Sequence, residues 1–70
     1  MAEVVAEMVA NVWKIVVAVG DSVHDGDTLV ILESMKMEIP VIAERDGTVT
    51  ELRVAEGDVV QEGDVLVVIG

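Results

Sequence analysis

The segment 33–38, Glu-Ser-Met-Lys-Met-Glu, holds the residue types in this chain that could do chemistry. A lysine amine is a nucleophile only when neutral, and an exposed lysine is protonated at neutral pH. Catalytic lysines are desolvated or lie beside cations, whereas Lys36 stands between Glu33 and Glu38. Lys36 is therefore poorly suited to be an enzyme's own nucleophile. It is well suited to be a substrate, and Met35 and Met37 would offer a modifying enzyme flexible, polarizable apolar contacts.

This segment is the join between two copies of one motif. A shift of 37 positions lays residues 1–33 over residues 38–70 without a gap. The glycine-aspartate pairs coincide: Gly20-Asp21 with Gly57-Asp58, and Gly26-Asp27 with Gly63-Asp64. Residues 1–70 are thus expected to form a single domain with a pseudo-two-fold axis. The join must then correspond to the pair of chain termini, so the termini should lie close together, at the opposite end of the molecule from Lys36.

The pattern of short β-branched runs between glycine-aspartate pairs predicts an all-β protein, with the two halves covering each other as a flattened sandwich. The predicted strands are Val4–Met8, Val12–Val17, Thr28–Glu33, Met37–Ala43, Thr48–Val54 and Val65–Ile69, with short strands near Ser22–Val23 and Val59–Val60. Glycine admits positive φ, and aspartate can accept a hydrogen bond from a backbone N–H two residues on, so each pair can reverse the chain. Pro40 cannot donate to a ladder and should lie at an edge or a bulge.

A two-residue turn at Met35-Lys36 would pair residues whose numbers sum to 71, which places Glu33 opposite Glu38. Like charges directly opposite each other destabilise a ladder. Two-residue turns favour Asn-Gly or Asp-Gly because their residues need φ > 0, and Met-Lys offers neither. Local rules broken at one place in an otherwise consistent chain indicate a functional site.

Composition limits the partners. The 70 residues contain 14 acidic and 4 basic residues, for a net charge of −10, and no cysteine. Such a charge would repel nucleic acid and anionic membrane surfaces. It either keeps a valine-rich sheet protein soluble and monomeric or steers it toward basic partners. The N-terminus lacks a basic region and the apolar runs are too short to span a bilayer, so a cytoplasmic protein is expected. The initial Met1 and the two-copy length favour a complete protein.

Metal and triad chemistry have little support. His24 is the only histidine, and without cysteine or a second histidine it cannot assemble a metal site or a triad. The acidic residues around the glycine turns could suggest calcium; they are Asp21, Asp25 and Asp27 with their copies Asp58, Glu62 and Asp64. Their spacing does not match an EF-hand loop. Turn formation explains them better.

Three further residues have simple interpretations. Alternation along the second strand predicts that Trp13, the only aromatic residue, shares a face with Ile15 and Val17. There it would pack in the core or at a partly exposed surface, and stacking on a ligand is the weaker alternative. Ser34 could be a nucleophile only beside a base, and none is evident. Lys14 is expected on a solvated face.

The segment 33–38 resembles the attachment motif of biotinyl domains, the biotin carboxyl carrier modules of biotin-dependent carboxylases. The resemblance covers the whole chain, which in scale is most similar to small free-standing bacterial biotin/lipoyl attachment proteins. It implies a barrel-sandwich hybrid of two four-stranded antiparallel sheets, with biotin in amide linkage to Lys36. It also implies a biotin protein ligase that recognises Met35 and Met37, and in addition Glu33, and transfers biotin from biotinyl-adenylate.

The function that the resemblance implies is carriage of carboxylate between a biotin carboxylase and a carboxyltransferase, with no catalytic residue on the carrier. Related lipoyl domains usually have Asp-Lys-Ala at this turn, so Met-Lys-Met favours biotin; a lipoyl or dual carrier is the first alternative and an unmodified structural hairpin module the second. Equal loops in the two halves argue against the protruding thumb of some carriers. Many relatives have Pro-Gly or Ala-Gly where this chain has Ala10-Asn11, a difference expected to lie far from Lys36.

Overall fold

The computed structural model describes residues 2–70, so Met1 lies outside the described residues. These residues form eight β-strands, and no helix occurs among them. The strands are β1 (Ala2–Val5), β2 (Ala10–Ile15), β3 (Ser22–Val23), β4 (Thr28–Ser34), β5 (Met37–Ile42), β6 (Gly47–Leu52), β7 (Val59–Val60) and β8 (Val65–Ile69). The predicted all-β class is confirmed.

The strands form two four-stranded antiparallel sheets, in the orders β1-β8-β6-β3 and β5-β4-β2-β7. Each sheet takes strands from both halves of the sequence. In one sheet, β1 and β3 of the first half pair with β8 and β6 of the second half, respectively. In the other sheet, β5 and β7 of the second half pair with β4 and β2 of the first half, respectively. The predicted two-sheet architecture is confirmed. Pro40 lies on β5, an edge strand, as expected of a residue that cannot donate to a ladder.

The registers of the two halves are related by the 37-residue shift. Leu32 pairs with Ile39 in the central hairpin, and the equivalent pair, Ile69 with Ala2, brings the chain ends together. β2 starts beside the hairpin, where Val12 pairs with Leu32. By Gly20 the chain has reached Val49, whose carbonyl accepts from the Gly20 N–H at 2.8 Å, and Val49 pairs with Ile69 beside the termini. The predicted placement of Lys36 and the termini at opposite ends is confirmed.

The core is built from matching residues of the two copies. Most of the large buried side chains come in equivalent pairs: Leu29 and Leu66, Leu32 and Ile69, Val12 and Val49, Val23 and Val60, Val30 and Val67. Burying one such side chain stabilises the fold by about 1.5–3 kcal/mol. Either half alone would leave its members of these pairs exposed, so the core exists only when both halves are folded together.

Residue 13 forms a bulge that overturns the predicted face of Trp13. The β2–β4 register shifts between Val12 and Lys14, and the equivalent β6–β8 register shifts between Val49 and Glu51. The extra residue breaks the two-residue alternation. Val12 is buried and Ile15 packs against the core, but Trp13 is 48% exposed. The prediction that Trp13 shares a face with Ile15 is therefore wrong, whereas a partly exposed surface position is confirmed.

Two strands end earlier than predicted: β1 stops at Val5 rather than Met8, and β5 at Ile42 rather than Ala43. The residue after each strand still bonds to its partner, since the Ala6 N–H donates to the Asp64 carbonyl at 2.9 Å. The equivalent Ala43 N–H donates to the Asp27 carbonyl at 2.8 Å. These bonds join loops of one half to strand ends of the other.

The four glycine-aspartate pairs form turns of one geometry. The glycines have φ between 92° and 98°, which favours residues without a Cβ. Each aspartate accepts from the backbone N–H three residues earlier; Asp21 Oδ2 accepts from Ala18 at 2.9 Å, and Asp58 Oδ2 from Ala55 at 2.9 Å. The expected bond to an N–H two residues on is therefore wrong, although the role in turn formation is confirmed. Among residues 2–70, no three histidine or acidic side chains lie together so that they could hold a metal ion.

We expect Gly47→Ala to destabilise the protein by about 1–3 kcal/mol, the usual range for overpacking. A Cβ at residue 47 would lie 2.5 Å from Ile69 Cγ2 and 2.7 Å from the Gly70 carbonyl oxygen. The backbone oxygen cannot rotate away. Urea unfolding followed by tryptophan fluorescence measures the change, with Glu62→Ala on an exposed turn as the control. Equal unfolding midpoints for the two variants would contradict the expectation.

Candidate functional site

The hairpin of β4 and β5 carries Lys36 at its tip. Its ladder pairs Ser34 with Met37, Glu33 with Glu38 and Leu32 with Ile39, which is the predicted register. Only Met35 and Lys36 remain for the turn. Both have positive φ, 53° and 65°. A type I′ turn requires positive φ at both central residues, and its twist matches that of the flanking strands.

This turn stores backbone strain. Left-handed backbone costs an L-residue with a Cβ roughly 1–2 kcal/mol, and neither Met35 nor Lys36 has the short polar side chain that eases the conformation. The strain persists because the hairpin is fixed on both sides of the tip. β4 lies between β5 and β2 in its sheet, and Leu32 is buried in the core. The fold therefore holds the tip in one conformation that its sequence does not prefer.

The side chains at the tip point into solvent. Met35 is 88% exposed and Met37 is 60% exposed, and Lys36 between them is also exposed. The ion pairs among residues 2–70 lie elsewhere, between His24 and Asp27 and between Arg53 and Glu51. The Lys36 amine is therefore accessible to another molecule from several directions. The structure places Lys36 where the sequence predicts, and its role in attachment stays a prediction.

Two acidic residues lie on the rung next to the one that closes the turn. Glu33 is half-buried and lies opposite the exposed Glu38, as predicted. On its other side Glu33 pairs with Asn11 of β2. The expectation that Ala10-Asn11 lies far from Lys36 is therefore wrong: Asn11 is on the same rung of the sheet as Glu33. The sequence did not reveal this because the pairing of β2 with β4 is a long-range contact that no local turn fixes.

The other candidate residues do not form a second site. His24 lies in the loop before β4 and Ser34 at its far end, so roughly 20 Å of strand separates them at about 3.3 Å per residue. The His24 side chain lies 3.8 Å from Asp27. Lys14 is exposed opposite Ile31 on the outer face of the sheet. The alternative that Trp13 stacks on a ligand is untested and stays a prediction.

One feature of the site was missed from sequence. The loop of residues 6–9 joins β1 to β2 at the Lys36 end of the molecule, because Asn11 pairs with Glu33 near the tip. Met8 is 39% exposed and Val9 is 63% exposed in this loop. The second copy has Arg45 and Asp46 at the equivalent positions. This difference between the copies is the sequence feature that could have indicated an exposed apolar loop near Lys36.

The arrangement presents a primary amine on a rigid protrusion, without a neighbouring acid, base or metal site arranged for catalysis in the described part of the chain. Such an amine, once deprotonated by another enzyme, can attack an activated carboxyl group and form an amide. No helix in residues 2–70 is long and apolar enough to cross a membrane.

Sequence comparison identifies relatives. Residues 1–69 match the family model Biotin_lipoyl, described as "biotin-requiring enzyme". The biotinylated protein TB7.3 homolog of Mycolicibacterium smegmatis is 63% identical over 40 residues, which cover 57% of this chain and 56% of that protein. The biotin/lipoyl attachment protein of Bacillus subtilis is 52% identical over 36 residues, covering 51% of this chain and 49% of that protein. The match thus spans about half the length of these relatives.

Structure comparison agrees. The chain superposes on part of the urea carboxylase of Kluyveromyces lactis with a TM-score of 0.93 and 39% identity, covering 99% of this chain and 6% of that one. It superposes on a single-chain, multi-domain long-chain acyl-CoA carboxylase with a TM-score of 0.89 and 29% identity, covering 94% of this chain and 6% of that one. The family match over nearly the whole chain makes the conclusion plain: this chain belongs to the biotin/lipoyl attachment family.

Proposed function

We propose that Lys36 is the residue that carries biotin, in an amide bond between its Nζ and the biotin carboxyl group. The observation that supports this most is the turn itself, a strained two-residue tip whose only amine is exposed between two exposed methionines. The residues present fit such a group, because an amide-linked arm needs an accessible amine and open space around it. Lys14, on the face of a sheet opposite Ile31, has no comparable protrusion.

The attachment reaction needs a partner enzyme, a biotin protein ligase, that supplies biotinyl-adenylate and removes a proton from the Lys36 ammonium. The neutral Nζ then attacks the acyl carbon, the amide C–N bond forms as the nitrogen loses one more proton to solvent, and AMP leaves with the electron pair of the broken C–O bond. The carrier contributes the amine and its fixed position. Met35 and Met37 flank the amine with mobile apolar side chains that a ligase can contact, and Glu33 lies two residues before Met35 as a further point of recognition.

In this proposal the domain carries carboxylate between a biotin carboxylase and a carboxyltransferase. Biotin, when bound, supplies the chemistry, since it accepts a carboxyl group at one site and releases it at another. The protein supplies reach and position. Tethering makes each delivery intramolecular, with an effective concentration in the mM range. The structural relatives are carboxylases whose chains hold this fold as about 6% of their length, which supports carboxylase partners for this chain too. The monomeric state and the cytoplasmic location stay predictions.

A lipoyl or dual carrier is the second candidate. It is favoured by one specific observation, that the Bacillus subtilis relative is named a biotin/lipoyl attachment protein. The methionines on both sides of Lys36 favour biotin. Intact mass of the protein purified from its own cells separates the two, because biotin and lipoic acid add different increments to the chain.

We expect Lys36→Arg to abolish biotin incorporation by a biotin protein ligase, with ATP and free biotin supplied. Lys14→Arg is the matched control, because it removes the only other lysine and should label like the original protein. Arginine keeps the charge at the tip but offers no amine that forms the amide. Intact mass and a peptide digest measure incorporation. Biotin on Lys14 in the Lys36→Arg variant would contradict the assignment.

We expect Met35→Asn to stabilise the fold by about 0.5–1 kcal/mol, because asparagine tolerates left-handed backbone better than methionine does. For a domain of this size that corresponds to a rise in Tm of roughly 2–8 °C. The same variant should be biotinylated more slowly, since the ligase loses an apolar contact.

Met37→Asn is the matched control for this prediction. It removes the other flanking methionine at a residue without positive φ, so it should slow biotinylation without raising Tm. Thermal unfolding and initial rates of biotin incorporation separate the two effects. If Met35→Asn raised Tm no more than Met37→Asn does, the strain assigned to the turn would be wrong.

A further inference from the structure

A groove of about 390 Å³ lies between β1 and β5, the edge strands on one side of the sandwich. Its floor is apolar and consists of Val4, Leu32, Ile39 and Val41, which are buried or half-buried against the core. The more exposed Val5 and Ile42 form part of its walls. The two edge strands therefore leave partly exposed apolar side chains between them.

The groove extends toward Lys36 rather than toward the termini. β1 and β5 are equivalent strands of the two copies. If the groove were symmetric, both Leu32 and its counterpart Ile69 would line it. Leu32, Ile39 and Met8 line the groove, whereas Ile69 and Arg45, the counterpart of Met8, do not. The Leu32–Ile39 rung lies two rungs before Ser34–Met37, which closes the turn, roughly 10 Å from the tip at about 3.4 Å per residue.

The rim of the groove is acidic. Glu3, Glu7 and Glu44 line it, and no lysine, arginine or histidine does among residues 2–70. Glu7 and Glu44 are equivalent residues of the two copies, both exposed, so carboxylates stand at both ends of the groove. Each lacks an ion pair to a described side chain. An occupant with basic side chains would therefore neutralise this rim.

We propose that this groove is a docking site for an extended segment of a carboxylase enzyme, a segment in which apolar side chains alternate with lysine or arginine. The apolar floor fits one face of such a strand, and the acidic rim fits the other. β1 has no strand partner on its outer side, which leaves backbone groups that an extended segment can pair with. A second copy of this chain is excluded as occupant, because it would bring carboxylates and a net charge of −10 against the same rim.

This docking would hold the carrier while the arm on Lys36 reaches the partner's active site. The inference rests on the proposed carrier function for the identity of the partner, but its test does not require biotin. The binding surface and the modified turn are separate groups of residues: none of the groove residues is within two positions of Lys36.

The experiment titrates the ¹⁵N-labelled, unmodified protein with a capped ten-residue peptide of alternating lysine and valine. We expect amide shift changes concentrated in residues 3–8 and 39–44. The double variant Glu7→Lys/Glu44→Lys should weaken peptide binding at least tenfold. Its matched control is Asp25→Lys/Glu62→Lys, which changes an equivalent pair outside the groove by the same charge and should weaken binding less than threefold.

Two more measurements complete the test. Val5→Thr/Ile42→Thr keeps the charge and the strand-forming branched shape but removes apolar wall, and it should weaken the peptide at least threefold. The peptide would be attracted only diffusely to an acidic protein if both lysine double variants lost the same affinity for it, or if the threonine double variant lost none. Either result would overturn the proposal. The groove variants should also accept biotin at the original rate. A slower rate would assign the groove to the ligase and overturn the carboxylase assignment, whereas failed labelling of the unaltered protein would overturn the proposed function alone.

Discussion

The exchange of backbone hydrogen bonds between the two copies is the constraint on which this structure depends. The Val12 N–H donates to the Asp58 carbonyl at 2.8 Å, and the equivalent Val49 N–H donates to the Asp21 carbonyl at 2.9 Å. The Gly57 N–H in turn donates to the Val12 carbonyl at 2.8 Å. A buried N–H without a partner costs about as much as a lost hydrogen bond. Because each half completes the ladders of the other, neither half is a folding unit by itself.

That interlock explains how so small a chain tolerates a strained tip. Left-handed backbone at Met35 and Lys36 costs roughly 2–4 kcal/mol in total, a large share of the stability of a 70-residue domain. The tip cannot relax, because β4 is fixed by β2 on one side and β5 on the other, and both strands contribute to the core. Rigidity around the amine is what a carrier needs, since the arm can then swing from a known position. The strain and the function are two aspects of one hairpin.

The sequence predicted the features that follow from the turn and the repeat, and it did not predict those that depend on the geometry of individual residues. A two-residue turn at Met35-Lys36 was enough to derive the register of the hairpin. The repeat was enough to derive the opposite positions of Lys36 and the termini, since a two-fold relation leaves little freedom. The face of Trp13 was not predictable by alternation, because a bulge adds one residue without any glycine or proline to mark it. The Asp21 side chain and its equivalents accept from an N–H earlier in the chain rather than later, a choice that depends on which backbone N–H each turn leaves without a partner. The position of Asn11 beside Glu33 depends on the long-range pairing of β2 with β4, which the local sequence does not fix.

The duplication also provides an internal comparison that single domains lack. Core pairs such as Leu29 and Leu66 match, because both members must fill the same space. Where equivalent residues of the two copies differ, each residue can be examined for its own structural role. Asp46 has one, since its Oδ1 accepts from the Asp25 N–H at 2.9 Å and ties two loops together. Val9, its counterpart, can accept no such bond, and it stands 63% exposed at the end of the molecule that carries Lys36. An apolar residue exposed where its copy is polar and bonded adds no such bond to the fold of its own chain, and this supports the proposal that other proteins contact the Lys36 end and the groove beside it.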